Sequence, residues 1–155
     1  MKQAILIVSF GSSVETARVR QISAVEEAIK AETPDSLAYT AYTSPTIRRI
    51  LQGRGISISS LEEALEQMLE DGITDALVQP THLLYGIEYD KMKAAVDAYA
   101  GRFASLQFGM PLLATTEDLR ELAAILSEAY PRKEGEALVL LGHGTTHFAN
   151  VVYPA

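Results

Sequence analysis

Cysteine is absent from the 155 residues, which excludes a disulfide framework, a zinc ribbon and thiolate catalysis, and fits a reducing compartment. Metal chemistry must then use carboxylates and histidine, and histidine is scarce, with only His82, His143 and His147. Basic clusters are missing too. A formal net charge of -7 argues against non-specific nucleic-acid binding, which gathers Lys and Arg against phosphates. Long apolar runs are also lacking: the opening run, residues 4–8, is too short for a signal-peptide core or a membrane span. The expectation is a cytoplasmic protein with no nucleic acid and no membrane as partner. What is present is a hydrophobic fraction of 48%, sufficient for a chain of this length to bury a core.

Residues 4–8 form a continuous apolar run with Ile and Val, as in a strand buried on both faces of a parallel sheet. Further strands are expected at residues 37–42, 76–79, 106–110 and 137–141. Between them lie helical patterns. Ser12 and Glu15 have capping-box spacing ahead of Val14, Ala17, Ile22, Val25 and Ile29, and Ser44-Pro45 opens a short helix to Leu51. Ser60 with Glu63, and Thr115 with Asp118, cap two more helices, and another is expected over residues 89–103. Strands alternating with amphipathic helices imply parallel pairing through right-handed crossovers, hence an α/β fold with helices on both sheet faces.

The chain also contains its own beginning twice. Ile5-Leu6-Ile7-Val8-Ser9-Phe10-Gly11-Ser12 aligns position for position with Leu138-Val139-Leu140-Leu141-Gly142-His143-Gly144-Thr145. An internal repeat marks a repeated structural unit. Residues 1–135 therefore read as one complete domain, and residues 136–155 as the first strand and loop of a second, similar one.

Ligands of open α/β sheets bind beyond the carboxyl ends of the strands, which puts residues 9–13, 79–88 and 142–147 on one rim. All three histidines fall in these loops. His143, between two glycines directly after an apolar run, is the strongest candidate for chemistry, against a turn histidine bonding a neighbouring carbonyl. His147 reads as a supporting or structural residue, and His82 as either a rim group or a packed one. Glu88 sits at a helix start, where a first-turn acid is common, but it shares the rim with His143, and a carboxylate and an imidazole together can hold a transition metal or move protons. The turn Gly11-Ser12-Ser13 offers backbone N–H groups to an anion, yet it lacks the spacing and lysine of a nucleotide-binding loop.

Ser-Phe-Gly-Ser-Ser at 9–13, Ala-Tyr-Thr-Ser at 41–44, Gln-Pro-Thr-His at 79–82, Gly-Ile-Glu-Tyr-Asp at 86–90, Pro-Leu-Leu at 111–113 and Gly-His-Gly-Thr-Thr-His at 142–147 occur in order along the chain. Together they resemble the anaerobic sirohydrochlorin cobalt chelatases of cobalamin biosynthesis, of the CbiK type. The resemblance implies a three-layer α/β/α domain with a four-stranded parallel sheet, plus the first strand of a second such domain. It implies a lyase inserting Co2+, or Ni2+ or Fe2+, into sirohydrochlorin, with no permanently bound cofactor. By the same resemblance His143 is a metal ligand and acceptor of pyrrole protons, and Glu88 is the acidic residue of the cleft. Phe10, Gly11, Ser12 and Ser13, with Leu84, Tyr85 and Gly86, would line the tetrapyrrole pocket.

The resemblance spans the family's first half. The second half, with a second metal-binding histidine and a further acidic ligand, has no counterpart here, so the chain reads either as a truncation or as one subunit of a homo-oligomer in which two halves make one cleft. Two other functions compete: a metal- or tetrapyrrole-binding domain without turnover, and a flavodoxin-like nucleotide binder. The latter leaves the placement of His143 unexplained.

Overall fold

The computed structural model describes residues 2–142 and 144–152. Four strands, β1 (Gln3–Ser9), β2 (Leu37–Tyr42), β3 (Asp75–Pro80) and β4 (Ser105–Phe108), form one parallel sheet in the order β2-β1-β3-β4. Between them run α1 (Glu15–Ala17), a π-helical turn (Arg18–Ile22), α2 (Ser23–Glu32), α3 (Pro45–Gln52), α4 (Leu61–Glu70) and α5 (Ile87–Asp97). After β4 come α6 (Thr116–Ala129) and a 3-10 turn (Phe148–Val152). This is the α/β fold that the alternation implies, with the four-stranded parallel sheet that the resemblance implies.

β1 is central, and its apolar run is buried throughout because both faces are covered. Side chains alternate across a strand. Ala4, Leu6 and Val8 join Leu61, Leu65 and Met68 of α4 and Met92 and Val96 of α5 in the main core. Ile5 and Ile7 are buried on the opposite face, where α2 meets β1. Each fully buried Leu or Met there contributes about 1.5–3 kcal/mol.

Both expected capping boxes form. Ser60 Oγ accepts from the Glu63 N–H at 3.1 Å, and the Glu63 carboxylate accepts from the Ser60 N–H at 2.7 Å. At α6, Thr115 Oγ1 accepts from Asp118 N–H at 3.2 Å, and the returning Asp118 carboxylate takes the Thr115 N–H at 2.7 Å. These bonds hold the Asp118 carboxyl below its ordinary pKa. Ser44 caps α3 with Pro45 in the first turn.

Four expectations are corrected. Ser12 does not cap a helix: α1 starts at Glu15 behind Val14, and Ser12 Oγ accepts from the Val14 N–H at 3.1 Å. Ala17, Ile22, Val25 and Ile29 are partly buried as their spacing implies, but Val14 stays exposed, and the most buried residue of α2 is Glu26, 8% exposed. Desolvation raises the Glu26 pKa, partly offset by Lys30. α5 ends at Asp97, and a 3-10 turn over Ala100–Arg102 delivers Phe103 to the core. Finally, residues 137–141 carry no regular secondary structure, and Leu141 is 94% exposed. A strand forms only by pairing, and among the described residues none pairs with this segment.

Candidate active site at the carboxyl edge of the sheet

The rim is assembled by bonds between the segments that leave the strands. Thr81 Oγ1 donates to Ser9 Oγ at 2.9 Å, and Thr81 N–H donates to Val8 O at 2.9 Å. Thr43 N–H reaches Ser9 O at 2.9 Å, and Ser44 N–H reaches Phe10 O at 3.3 Å. The segments after β1, β2 and β3 are thus tied together at one edge. Gly11 turns the first of them with a φ of 96°, and its Cα rests on the Tyr42 ring so closely that a Cβ would stand 2.5 Å from Cδ2.

Phe10 projects from this turn, 50% exposed, while Ser13 O accepts from the Arg54 guanidinium at 2.6 Å. Ser12 Oγ takes the Val14 N–H, so that donor of the Gly11-Ser12-Ser13 turn is already satisfied within the chain.

The start of α5 divides the site. Gly86 is its N-cap, with its own N–H donating to Leu84 O at 2.8 Å. Glu88 in the first turn lines a cleft of 190 Å3 with Tyr42, Thr43, Arg48, Ser60 and Met92. Its carboxylate is paired with Lys91 at 2.7 Å. Tyr89, one residue on, is buried, meets Tyr85 edge-on and Phe108 at a tilt with centroids 4.9 Å apart in each case, and donates its hydroxyl to Gly109 O at 3.1 Å. Asp90 turns the other way. Its Oδ2 lies 3.1 Å from Nε2 of His147.

That contact brings the last described segment back onto the domain. Leu84 and Tyr85 line a second, mostly apolar pocket of 190 Å3 with Leu113, Leu119, Phe148 and Val152. The expected site residues are therefore split: Glu88 in a polar cleft, Leu84 and Tyr85 in an apolar pocket, Gly86 at the hinge between them, and Phe10 to Ser13 lining neither of these two pockets. His143 lies outside the described residues. Among the described residues, no group of three or more His, Asp or Glu side chains stands together to hold a metal ion.

His82 is a packed rim residue. Both ring nitrogens are buried without a hydrogen-bond partner, and desolvation lowers its pKa below 6.5, partly countered by the negative charge of Glu88. In the polar cleft, Thr43 Oγ1 and Arg48 Nε are likewise buried without partners. Sequence reasoning missed Arg48, Thr43 and Asp90. Asp90 carried a signal, because it closes the Gly-Ile-Glu-Tyr-Asp motif, but nothing in the pattern named its partner.

A family model described as cobalt chelatase (CbiK) matches residues 3–155. The chain belongs to the cobalt chelatase (CbiK) family. The sirohydrochlorin cobaltochelatase of Salmonella typhimurium is 34% identical over 155 residues, covering 99% of this chain and 59% of that protein. The sirohydrochlorin cobaltochelatase CbiKC of Nitratidesulfovibrio vulgaris is 33% identical over 158 residues, covering 99% of this chain and 56% of that protein. The chain thus spans somewhat under two thirds of the length of these relatives.

Solved structures agree on the fold. SirB from Bacillus subtilis with Fe3+ superposes with a TM-score of 0.59 and 22% identity, over 83% of this chain and 48% of that one. The cobalamin (vitamin B12) biosynthesis protein CbiX from Marinobacter aquaeolei gives a TM-score of 0.52 and 17% identity, over 82% of this chain and 96% of that one.

Proposed function

We propose that this chain supplies one half of the machinery that inserts Co2+ into sirohydrochlorin in cobalamin biosynthesis. The observation that carries this reading is the alignment of 99% of the chain with a sirohydrochlorin cobaltochelatase at 34% identity. Insertion exchanges two pyrrole protons for one divalent cation, so the site needs a base for the protons and a ligand that releases the metal again. His143 is assigned as metal ligand and proton acceptor, since neutral imidazole serves both near pH 7. Glu88 is assigned as the acidic partner on the same rim. It is paired with Lys91 on an exposed surface, a weak bond that leaves it available to an incoming cation or proton.

Phe10, Gly11, Ser12, Ser13, Leu84, Tyr85 and Gly86 are assigned to the tetrapyrrole. Phe10 offers an exposed aromatic face, and Leu84 and Tyr85 offer an apolar wall. Residues 1–135 form the first chelatase-like domain in this reading, and residues 136–155 begin a second. The complete cleft then needs either that second half or another copy of the chain in a homo-oligomer, and the reaction belongs to the cytoplasm. Among the described residues no helix is long and apolar enough to cross a membrane.

The test is an absorbance assay of cobalt insertion into sirohydrochlorin by the chain, by His143→Ala and by Glu88→Gln, with light scattering on the same samples. Turnover abolished by His143→Ala and lowered by Glu88→Gln is the expected result. Tetrapyrrole binding without turnover would reduce the chain to a binding domain, and no binding by a folded sample would refute the reading. Ni2+ and Fe2+ in parallel assays report the metal preference.

A further inference from the structure

His147 is mostly buried, with its side chain 13% exposed, and both ring nitrogens are engaged. Nδ1 accepts from the Ala149 N–H at 3.1 Å. A nitrogen that accepts carries no proton, so in the neutral ring Nε2 carries it and donates to Asp90 Oδ2 at 3.1 Å. The tautomer is thereby fixed by a backbone amide on one side and a carboxylate on the other. His147 N–H also donates to Thr145 Oγ1 at 3.1 Å, and Asn150 N–H to His147 O at 3.0 Å. These bonds make residues 145–150 one compact turn whose tie to α5 runs through the imidazole.

The consequence lies in what this turn covers. Ala149 is buried, and Phe148, Val151 and Val152 stand with Leu84 and Tyr85 around the apolar pocket. Phe148 also rests against the His147 ring, with centroids 4.2 Å apart.

We propose that Asp90 and His147 are positioning residues. The hydrogen bond between them holds Phe148–Val152 across Leu84 and Tyr85, so that the tetrapyrrole meets a preformed apolar wall. This rests on the reading above that Leu84 and Tyr85 face the tetrapyrrole. Preorganisation raises affinity because ordering of the turn is complete before binding. Asp90 acts through the imidazole.

The test is an absorbance titration of the full chain with sirohydrochlorin, using Asp90→Ala, Asp90→Asn, His147→Leu and the double variant Asp90→Ala/His147→Leu. Asp90→Ala and His147→Leu should each weaken binding roughly threefold to tenfold, the range of one hydrogen bond. The double variant should bind no more weakly than His147→Leu alone, because that substitution already removes the bond to Asp90. Asp90→Asn keeps an acceptor oxygen for Nε2–H and should bind like the parent chain. That rescue separates an acceptor role from general disturbance of the fold.

Asp90 is 61% exposed, so its replacement should leave the urea midpoint unchanged while speeding amide exchange at Ala149. Asp90→Ala and His147→Leu binding like the parent, or Asp90→Asn as weak as Asp90→Ala, would overturn the proposal. No binding by the parent chain would refute the chelatase reading and the role of the pair with it. Unchanged binding in the variants refutes the pair alone.

Discussion

Replacing Gly11 by Ala should damage the rim and the fold together, and the size of the effect follows from two separable costs. The first is conformational: at a φ of 96° an L residue is strained, by about 1–2 kcal/mol. The second is steric. The new Cβ would stand 2.5 Å from Cδ2 and 2.8 Å from Cγ of Tyr42, which are ring atoms of a side chain buried at the end of β2 and unable to swing away like a flexible tip. Overpacking of this kind costs about 1–3 kcal/mol.

The sum, about 2–5 kcal/mol, should appear in urea unfolding followed by circular dichroism, with a Tm lowered by roughly 5–15 °C for a chain of this size. Repeating the substitution in a Tyr42→Ala background removes the ring and should leave only the conformational part, a coupling of about 1–3 kcal/mol. A loss below about 0.5 kcal/mol, or the same loss in both backgrounds, would refute the reasoning. Tyr42 also lines the cleft beside Glu88, so any surviving folded variant should bind tetrapyrrole more weakly.

Ser60→Ala and Thr115→Ala should each cost about 1 kcal/mol in the same assay, additively, while Ser12→Ala, whose oxygen caps no helix, should cost under about 0.5 kcal/mol. Leu65→Ala, at a fully buried position in α4, should cost about 2–5 kcal/mol. Burial holds the His82 pKa below 6.5, so in the interval between that lowered value and 6.5 the unfolded chain binds more protons and stability falls as acid is added; His82→Leu should flatten this part of the stability curve. Glu26 works with the opposite sign. Its raised carboxyl pKa favours the folded state below 4.5, a contribution lost as the pH rises through the raised value, and Glu26→Gln should remove it. Leu141→Lys should leave stability unchanged within about 0.5 kcal/mol, because the side chain is almost fully exposed.

Elements stated by local chemistry were legible in advance. The apolar run of β1 suited a doubly covered strand and forms one, and the Ser60–Glu63 and Thr115–Asp118 spacings are reciprocal hydrogen bonds written in sequence. What was not legible depends on non-local competition. Ser12 and Glu15 have capping spacing, but Ser12 Oγ bonds the N–H two residues on, and a charged residue, Glu26, takes the most buried place on α2. Residues 137–141 repeat the β1 pattern, but apolarity alone does not make a strand when no neighbour supplies a ladder. At the site, the sequence put the loops after β1 and β3 on one rim, and the Thr81–Ser9 bond joins those two; the third expected loop, 142–147, contains His143, outside the described residues. The sequence could not divide that rim into two pockets, because the division depends on which way each side chain of α5 points.

That direction follows from helix geometry. Successive residues of an α-helix turn by about 100°, so Glu88 and Asp90 point to nearly opposite sides, and Tyr89 falls between them. Each position takes the residue that its side demands. Glu88 shares its side with Met92 and Ala95 and enters the polar cleft, where a charged group can stay hydrated. Tyr89 enters the core, where its hydroxyl is satisfied by Gly109 O and leaves no unpaired polar atom on the side chain. Asp90 meets His147, and its side-chain oxygen supplies an acceptor for the ring's remaining N–H. Exchanging Glu88 with Asp90 would preserve composition, charge and helix propensity, yet shorten the acid in the cleft and lengthen the one at the imidazole. The order Gly-Ile-Glu-Tyr-Asp is therefore a statement about three directions from one helical turn, with the glycine before it releasing the chain from the Leu84–Tyr85 loop into that turn.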